Sequence, residues 1–581
     1  MSTSEKGEQL PLVTPTLHPT PTPSPKNRFG VTLKHLIPLS LVILYYSFIS
    51  PISINGIRPY STEELSLKES AKCPIQPPVI NVGNDWDILN DKIYGELAAK
   101  RLSKAVQINT ESFDNFPSNA SDPIFDKHND FLHYLKYEYS KLFSDPIKYE
   151  SVNVHGNLFT WKGKNENLKP ILLLAHLDTV PVLPATLDQW TYPPFEGKIT
   201  VNGTKDTPGT WIWGRGSSDC KNTLLAIYGA IERLITEGYQ PERTILIGNG
   251  FDEELGGYRG AKPIADVIFE RYGQNGIAFL VDEGFTGISH EYGATVASFG
   301  MAEKGSVNVN VKVETLGGHS SVPPAHTAIG IISLLLSELE SNPYKPSLSP
   351  KSPLLKNLNC LADYAPQFPK GLKREIKDPR KWNKLAQELA NESRLMNSFL
   401  ATTQAIDLIN GGVKVNALPE VVDATINHRI AFTSSVKETL EHITHILKPL
   451  AKKLGYTISA FEDKHDIKGN STSHITLSVN GRTIEPAPIT SDRTKSFALL
   501  GGTAKAVFGS DTVAAPSAMF ANTDTRWFWN VTEGLYRFTP TLITENLNQH
   551  TVNERVSLEG HLNATRYFYK LIRNTEGWDS E

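Results

Sequence analysis

The strongest constraint in this sequence is a short apolar run that ends in two polar residues. Residues 171–174 read ILLL, the pattern of a strand that is buried on both faces of a sheet. His176 and Asp178 follow, and in a strand this spacing places both side chains on one face. Burying a histidine and a carboxylate is unfavourable unless each is paired. A metal ion could be the partner, although a simple His–Asp pair is the better explanation of this motif taken alone.

Strand-like and helix-like patterns alternate around this run. The strand-like stretches are 158–163, 209–216, 244–254 and 277–284. Residues 224–238 have helical periodicity and lie between two of them. The alternation predicts an α/β fold, with a mixed-sheet catalytic domain and helices on both faces. We assign residues 85–302 and 483–581 to this domain, whose ligands should bind beyond the carboxyl ends of the strands.

A different pattern interrupts the chain between residues 303 and 482. The stretch GSVNVNVKVETLGG alternates strictly between apolar and polar residues, which predicts an antiparallel strand with one solvated face. VVDATINHRIAF alternates in the same way, and two amphipathic helical patterns accompany these strands. We interpret 303–482 as an inserted, smaller α+β lid domain with a helical insertion near 350–400. A second domain is expected because 581 residues are too many for one ordinary core.

The amino-terminal part of the chain does not have the composition of a folded domain. Residues 1–34 are rich in Pro, Ser and Thr, which predicts a disordered cytosolic tail. Residues 35–57 contain no Asp, Glu, Lys or Arg and could cross a bilayer core of about 30 Å, so we predict an N-terminal transmembrane helix there. A cleaved signal peptide and a merely interfacial segment, suggested by Pro38 and Pro51, are the alternatives. Residues 58–84 are interpreted as a linker.

Charge, cysteine content and glycosylation motifs narrow the possible functions. The formal net charge is -4 and no long basic run occurs, so nothing indicates nucleic-acid binding. The 3 cysteines exclude a disulfide-rich scaffold and a thiolate zinc finger, but leave open whether Cys73 pairs with Cys360. Sequons for N-linked glycosylation favour a lumenal glycoprotein. They lie at Asn119, Asn202, Asn391, Asn470, Asn530 and Asn563.

Further acidic and histidine residues follow the other apolar stretches and glycine-rich turns. They are Asp219 in WGRGSSDCKN, Glu253 and Glu254 in GFDEELGG, Asp282 in LVDEG and His550 in NLNQHTVNE. Taken singly, Asp219 is better explained as a helix N-cap, the glutamates as a solvated turn and His550 as a surface residue. Their common setting, however, predicts that they meet in one pocket with His176.

This set resembles the co-catalytic zinc metallopeptidases that are related to aminoacylase and glutamate carboxypeptidase. GGHSSVPPAHTAIG, INGGVKVNALPE and the phrase NTDTRWFWN…YRFTP belong to the resemblance, which extends from about residue 85 to the carboxyl end. The vacuolar Gly-X carboxypeptidases are the most similar branch, and the predicted anchor fits them. The resemblance therefore implies a membrane-anchored enzyme facing the vacuolar lumen.

The resemblance also implies the ligands of two Zn2+ ions. His176 would bind one ion and His550 the other, and Asp219 would bridge them. Glu254 would complete the coordination of one ion and Asp282 that of the other. Histidine and carboxylate ligands suit catalytic zinc, and two such ions lie about 3.5–4 Å apart in related hydrolases.

Catalytic roles follow from the same resemblance. Asp178 would orient the imidazole of His176. Glu253 would be the general base, which takes a proton from the attacking water and gives it to the leaving amine. The peptide bond between Asp219 and Cys220 would be cis, and Cys220 would be a packed side chain rather than a nucleophile.

The lid would supply the substrate-binding residues. His319 would donate a hydrogen bond to the developing oxyanion, in related enzymes often from a partner subunit, so the lid would also serve as a dimerisation domain. Asn416 and Arg429 would hold the backbone and the carboxylate of the substrate. A solvent-exposed turn histidine and an outward-facing strand arginine are the alternatives.

The leading functional hypothesis is a zinc-dependent carboxypeptidase that hydrolyses the C-terminal peptide bond of short Gly-X peptides with a free carboxylate. The alternative is an N-acyl-amino-acid amidohydrolase or synthase, which the motifs do not distinguish from a carboxypeptidase. A non-catalytic membrane-anchored binding protein would be expected to have lost metal ligands, and the sequence shows no such loss.

Overall fold

The computed structural model describes residues 60–580, except 202, 204–207, 285–286 and 462–472. The α-helices are α1 (Thr62–Ser70), α2 (Lys92–Gln107), α3 (Lys127–Glu138), α4 (Lys221–Thr236), α5 (Ala261–Tyr272), α6 (Ala328–Ser341), α7 (Pro353–Tyr364), α8 (Lys370–Ile376), α9 (Trp382–Glu392), α10 (Arg394–Leu400), α11 (Val436–Lys453), α12 (Lys495–Phe508) and α13 (Leu558–Asn574). Short 3-10 helices span Pro123–Phe125, Ser140–Phe143, Pro184–Gln189, Glu253–Leu255, Pro379–Lys381, Asp524–Trp527 and Ile543–Glu545.

The β-strands in the described part of the chain are numbered β1 to β20. They are β1 (Ile147–Val152), β2 (Gly156–Trp161), β3 (Ile171–Leu174), β4 (Lys198–Thr200), β5 (Trp211–Trp213), β6 (Ile245–Asn249), β7 (Phe279–Asp282), β8 (Ile288–Glu291), β9 (Ala294–Glu303), β10 (Gly305–Glu314), β11 (Gly318–His319), β12 (Thr403–Gly411), β13 (Ala417–Leu418), β14 (Val421–Ile430), β15 (Thr457–Ala460), β16 (His474–Ile484), β17 (Val513–Met519), β18 (Leu535–Arg537), β19 (Asn546–Leu547) and β20 (Arg555–Ser557).

A nine-stranded mixed sheet is the centre of the fold. Its strands follow the order β1-β2-β6-β3-β7-β18-β9-β17, and β8 pairs with β9. The central strand β3 is parallel to both β6 and β7, whereas β1 and β2 are antiparallel to their neighbours. The predicted α/β mixed sheet is therefore confirmed. A separate four-stranded sheet has the strand order β19-β20-β5-β4.

Helices cover both faces of this sheet, as the apolar run of β3 predicted. Ile171 and Leu173 belong to a hydrophobic cluster that includes residues of α2, α4 and α13. Leu172 and Leu174 point the other way and pack in a second cluster with Ile264 of α5. Because a strand alternates its side chains between two faces, a strand with no polar residue must be covered on both.

The inserted sheet has the order β12-β14-β10-β16-β15 and a hydrophobic core of its own. Strand β10 alternates between buried and partly exposed residues along its whole length, as its sequence predicted. Helices α6 and α11 cover its buried face. The chain enters this sheet directly from β9 at Gly305 and leaves it after Ile484, where the amide of Ala487 donates to the carbonyl of Glu303 at 3.0 Å.

The helical insertion near 350–400 contains α7 to α10. Its apolar residues pack with Val296 of β9 and with Val513 and Ala515 of β17, so they cover the edge of the nine-stranded sheet. A disulfide joins Cys73 to Cys360 of α7. Residues Thr62–Glu581 form one compact unit. The predicted boundaries between catalytic and lid domains remain predictions.

The predicted membrane anchor needs correction. Among the described helices, none is both long and apolar enough to cross a membrane. This finding contradicts the transmembrane helix in the predicted architecture and the single-pass location at the vacuolar membrane that depended on it. The residues to which we assigned the helix, 35–57, lie outside the described residues, as do the predicted tail and residues 58–59 of the predicted linker.

Candidate metal centre and active site

His176 lies two residues beyond the end of β3 and is almost fully buried. Its Nδ1 faces Asp178, at 3.0 Å from the backbone oxygen and 3.3 Å from the carboxylate Oδ1. Its Nε2 lies 3.1 Å from Oδ1 of Asp219. The two ring nitrogens of His176 therefore have different partners: Nδ1 faces Asp178, and Nε2 faces the carboxylate of Asp219.

Asp219 lies between the two predicted histidine ligands. One carboxylate oxygen approaches His176, and the other lies 3.1 Å from Nε2 of His550. Asp219 precedes α4, but the N-cap of that helix is Cys220, which excludes the N-cap interpretation of Asp219. The Asp219–Cys220 peptide bond is cis, as the resemblance implied. Burial raises the pKa of the Cys220 thiol well above its usual range, which agrees with a packed rather than nucleophilic cysteine.

Glu253 and Glu254 begin the 3-10 helix that follows β6. Their backbone amides donate to the two carboxylate oxygens of Asp178, at 3.1 and 3.2 Å. The hydroxyl of Ser112 donates to the same carboxylate at 2.7 Å. Asp178 therefore fixes the turn that carries both glutamates as well as the imidazole of His176. Oε1 of Glu254 lies 3.3 Å from Nε2 of His550.

At the end of β7, Glu283 is a second candidate ligand beside the predicted Asp282. Oε1 of Glu283 lies 3.7 Å from Nε2 of His176, on the side of the acidic group. Oδ1 of Asp282 accepts a hydrogen bond from the amide of Glu283 at 2.9 Å, and its buried Oδ2 has no hydrogen-bond partner among the described residues, so the ligand role of Asp282 remains a prediction.

Two of the three sets of possible ligand atoms in the described residues share Asp219. One contains His176, Asp219 and Glu283 together with Cys220, and the other contains Asp219, Glu254 and His550. Within each set the ligand atoms lie within 4.8 Å of one another. The donor set of imidazole nitrogens and carboxylate oxygens fits catalytic zinc.

The concentration of carboxylates determines the electrostatics of the site. Burial raises the pKa of Glu283 well above its usual range, and the negative charge of Asp219 raises it further. Burial alone would lower the pKa of His550, but hydrogen bonds to Asp219 and Glu254 raise it to about 11. Burial also raises the pKa of Glu253 well above its usual range, and the nearby Asp524 and Glu254 add to the rise. Such a cluster is suited to binding cations.

A carboxylate that we did not predict supports the segment around Asp219. Glu554 is completely buried, and its Oε1 accepts hydrogen bonds from the amides of Gly216, Ser218 and Asp219 at 3.0, 3.0 and 3.1 Å. Its Oε2 accepts one from Nη1 of Arg215 at 2.5 Å. Glu554 follows His550 by four residues, so it connects the segments that carry the two predicted ligands.

The predicted substrate-binding residues belong to none of these sets of ligand atoms. His319 and Asn416 come together in the lid, where β11 pairs with β13 and the backbone oxygen of Asn416 accepts from the amide of Ser320 at 3.3 Å. Both side chains are exposed. Arg429 lies elsewhere, on β14, and its Nη1 donates to Oδ1 of Asn522 at 2.9 Å. Their predicted roles remain predictions.

Comparison with known proteins places the chain in a family. A model of peptidase family M20/M25/M40 matches residues 172–574. The chain belongs to this family. Carboxypeptidase S of Saccharomyces cerevisiae is 40% identical over 501 residues, which are 84% of this chain and 85% of that protein. The predicted family and the predicted enzyme class, a hydrolase of peptide bonds, are confirmed.

The chain is also similar to a mouse protein and to a solved structure from Sulfolobus solfataricus. The N-fatty-acyl-amino acid synthase/hydrolase PM20D1 of Mus musculus is 32% identical over 483 residues, 82% of this chain and 87% of that protein. The crystal structure of an M20 family metallo-carboxypeptidase from Sulfolobus solfataricus superposes with a TM-score of 0.54 at 17% identity, covering 82% of this chain and 98% of that one. The structural likeness confirms the fold, and a metal-dependent site is consistent with it.

Proposed function

We propose that this chain is a carboxypeptidase that uses two zinc ions to hydrolyse the C-terminal peptide bond of short peptides. The observation that carries the proposal is Asp219, whose two carboxylate oxygens face two histidines on opposite sides. His176, Asp219 and Glu283 would hold one ion, and Asp219, Glu254 and His550 the other. Bound zinc supplies Lewis-acid polarisation of the scissile carbonyl and makes water acidic enough to react near neutral pH.

Glu253 would transfer the proton. It takes a proton from the attacking water while the new C–O bond forms, and it gives that proton to the amine nitrogen as the C–N bond breaks. A carboxylate oxygen of Glu253 lies within 4.8 Å of a ring nitrogen of His176 and of a carboxylate oxygen of Glu254. Glu253 itself forms no ion pair with another described residue.

Asp178 would act through other residues. Because it contacts the His176 imidazole and accepts from the amides of Glu253 and Glu254, it holds one histidine ligand and the proton-transfer turn in a fixed relation. The resemblance assigns the oxyanion and the substrate backbone to His319 and Asn416, and the substrate carboxylate to Arg429. We retain these roles as part of the proposal, including the contribution of His319 from a second subunit.

A substrate and metal panel tests the function. Purified protein should contain close to two zinc ions and should cleave an N-blocked Gly-Leu dipeptide. Chelation should abolish cleavage, and added zinc should restore it. A protein that contains zinc but leaves free-carboxylate dipeptides intact would refute the proposal.

The similarity to the mouse N-fatty-acyl-amino acid synthase/hydrolase gives a second candidate. It predicts cleavage of N-oleoyl amino acids in preference to dipeptides. The ratio of kcat/KM for N-oleoyl-leucine to that for the N-blocked Gly-Leu dipeptide separates the two functions, because both substrates end in the same free carboxylate.

A further inference from the structure

Arg526 lies beside the turn that carries the catalytic glutamates. It belongs to the 3-10 helix Asp524–Trp527, and a Cβ atom built on Gly256 would lie 2.6 Å from its Nη2. The neighbouring Trp527 donates its indole N–H to the carbonyl of Gly256 at 3.0 Å. Gly256 follows Glu254 by two residues, so the guanidinium is held against the edge of the proposed active site.

The Arg526 side chain is held without a described salt bridge, although the buried acids Glu303 and Asp524 are close enough to interact with it electrostatically. Its Nε is buried and has no hydrogen-bond partner among the described residues, and no described carboxylate forms an ion pair with it. Its guanidinium lies 5.6 Å from the ring centres of Tyr258 and Trp527, which support it by cation–π contacts. Glu303, a nearby buried acid, is 3.4 Å from Arg537 and is engaged there.

Arg429, on β14, contacts the segment just before the 3-10 helix that carries Arg526. Its Nη1 donates to Asn522, whose side-chain amide donates in turn to the carbonyl of Lys304 at 2.6 Å. The partner of Arg429 is therefore a neutral amide rather than an acid. Burial lowers the pKa of Arg429, and the positive charge of Arg526 lowers it further, as expected for two guanidinium groups near each other.

Two neighbouring guanidinium groups that share no salt bridge with a described carboxylate are unfavourable in a partly desolvated site, and the nearby Glu303 offsets only part of their repulsion. A carboxylate ligand between them removes the repulsion and satisfies their N–H donors, because a guanidinium fork matches the two oxygens of a carboxylate. The rest of the site is strongly acidic and cannot hold an anion in its place. The two arginines thus provide a local positive site at the edge of a negative cluster.

We propose that Arg526 and Arg429 together bind the terminal carboxylate of the substrate, and that Arg526 is a specificity-determining residue of this enzyme. The inference rests on the proposed carboxypeptidase function and adds a residue that our sequence analysis did not assign. Arg526 contributes from the side of the nine-stranded sheet and Arg429 from the lid. A substrate carboxylate therefore links the two parts of the molecule while its scissile bond lies near Glu253.

The test compares kcat/KM for N-blocked Gly-Leu and for its carboxyl-amidated form in the wild type, Arg526→Gln, Arg526→Lys, Arg429→Gln and the double Gln variant. A hydrogen bond to a charged group contributes roughly 10- to 150-fold, so Arg526→Gln should lose about that factor on the free substrate, mainly through KM. Cleavage of the amidated substrate should change less than about threefold. Arg526→Lys should fall between, since it keeps the charge but not the fork.

Arg482→Gln is the matched control. Arg482 is an exposed residue of β16 that stacks on the same Tyr258 ring at 3.9 Å, so its loss removes a cation–π contact without touching the turn. This variant should keep the wild-type ratio of free to amidated cleavage. The double variant should lose less than the product of the single losses, because both arginines act on one carboxylate.

The outcomes are distinguishable. A wild-type ratio near one would overturn both the carboxypeptidase function and the role of Arg526. A high wild-type ratio that Arg526→Gln retains, with zinc content and thermal unfolding unchanged, would overturn the role of Arg526 alone. If Arg526→Gln does not fold, the ratio in Arg526→Lys decides, and a wild-type ratio there overturns the proposal.

Discussion

The proton-transfer role of Glu253 can be separated from metal binding at the scale of one residue. Glu253→Gln keeps the size of the side chain but cannot accept a proton. Because general acid–base groups contribute on the order of 10²–10⁴ in rate, kcat should fall by at least that factor while zinc content stays at the wild-type value. Near-normal turnover in a zinc-loaded Glu253→Gln protein would refute the assignment.

The choice between Asp282 and Glu283 is a second prediction at this scale. In the proposed site Glu283 is the ligand, because its carboxylate lies 3.7 Å from Nε2 of His176, whereas one oxygen of Asp282 accepts from the amide of its neighbour. Glu283→Gln should therefore lower bound zinc from about two ions towards one after dialysis, and Asp282→Asn should retain both. Metal analysis of the two variants side by side checks this. The reverse pattern would restore Asp282 as the ligand.

These residues also show how far sequence reasoning reached. The order of His176, Asp219, Glu254 and His550 along apolar stretches was enough to predict that they meet. The sequence does not decide between Asp282 and Glu283, because adjacent carboxylates at a strand end differ only in direction, which depends on where the strand stops. Glu554 could not be predicted, since its partners are backbone amides more than 300 residues away in sequence.

At the scale of elements, Glu554 holds the segment before α4 against the loop that carries His550. Glu554→Ala would leave Arg215 and three amides without their buried partner. Removing one member of a buried charge pair costs about 3–5 kcal/mol, so the free energy of unfolding should fall by about that amount and zinc should be lost. Urea unfolding and metal analysis measure both effects.

The control for this prediction is Glu559→Gln, which changes an exposed glutamate in the first turn of α13. It should leave unfolding and zinc content unchanged. Glu554→Gln should fall between the wild type and Glu554→Ala, because an amide oxygen still accepts from the three amides while the charge is gone. Wild-type stability and zinc content in Glu554→Ala would show that the contacts of Glu554 are dispensable.

The acid stability of the whole molecule should depend on His128. This residue of α3 is buried among aromatic rings, and burial lowers its pKa to about 4, although Asp178 opposes the shift. His155 and Lys221 lower it further. Between pH 6.5 and 4 the unfolded chain binds a proton that the folded chain does not, so stability should fall by roughly 3 kcal/mol as the pH drops through this range.

His128→Phe should reduce that acid loss, because an apolar ring suits the same surroundings and does not titrate. The measurement is urea unfolding of both proteins at pH values from 7.5 to about 4, since the pKa difference defines this window. His133→Gln, at an exposed position of the same helix, should keep the wild-type pH dependence. An unchanged pH slope in His128→Phe would assign the acid sensitivity to other groups.

The disulfide between Cys73 and Cys360 should also contribute to the stability of the whole molecule. It joins residues separated by 287 positions and ties the segment after α1 to α7. Disulfides typically add about 2–4 kcal/mol, mainly by restricting the unfolded chain. The Cys73→Ser/Cys360→Ser variant should lose about that much and keep its kcat. A reducing agent should destabilise the wild type equally and leave the variant unaffected; insensitivity of both proteins would contradict the prediction.

The position of β18 has a consequence for the synthesis of the chain. This strand lies between β7 and β9 in the sheet, yet it follows both of them in sequence, after the whole inserted domain. A ribosome that adds roughly 5–20 residues per second needs about 10–50 s to translate residues 304–534. During this interval the lid sequence has emerged while the edges of β7 and β9 still await their common neighbour. Exposed strand edges attract other chains, so nascent polypeptides of this protein should engage chaperones until residues 535–537 have left the exit tunnel.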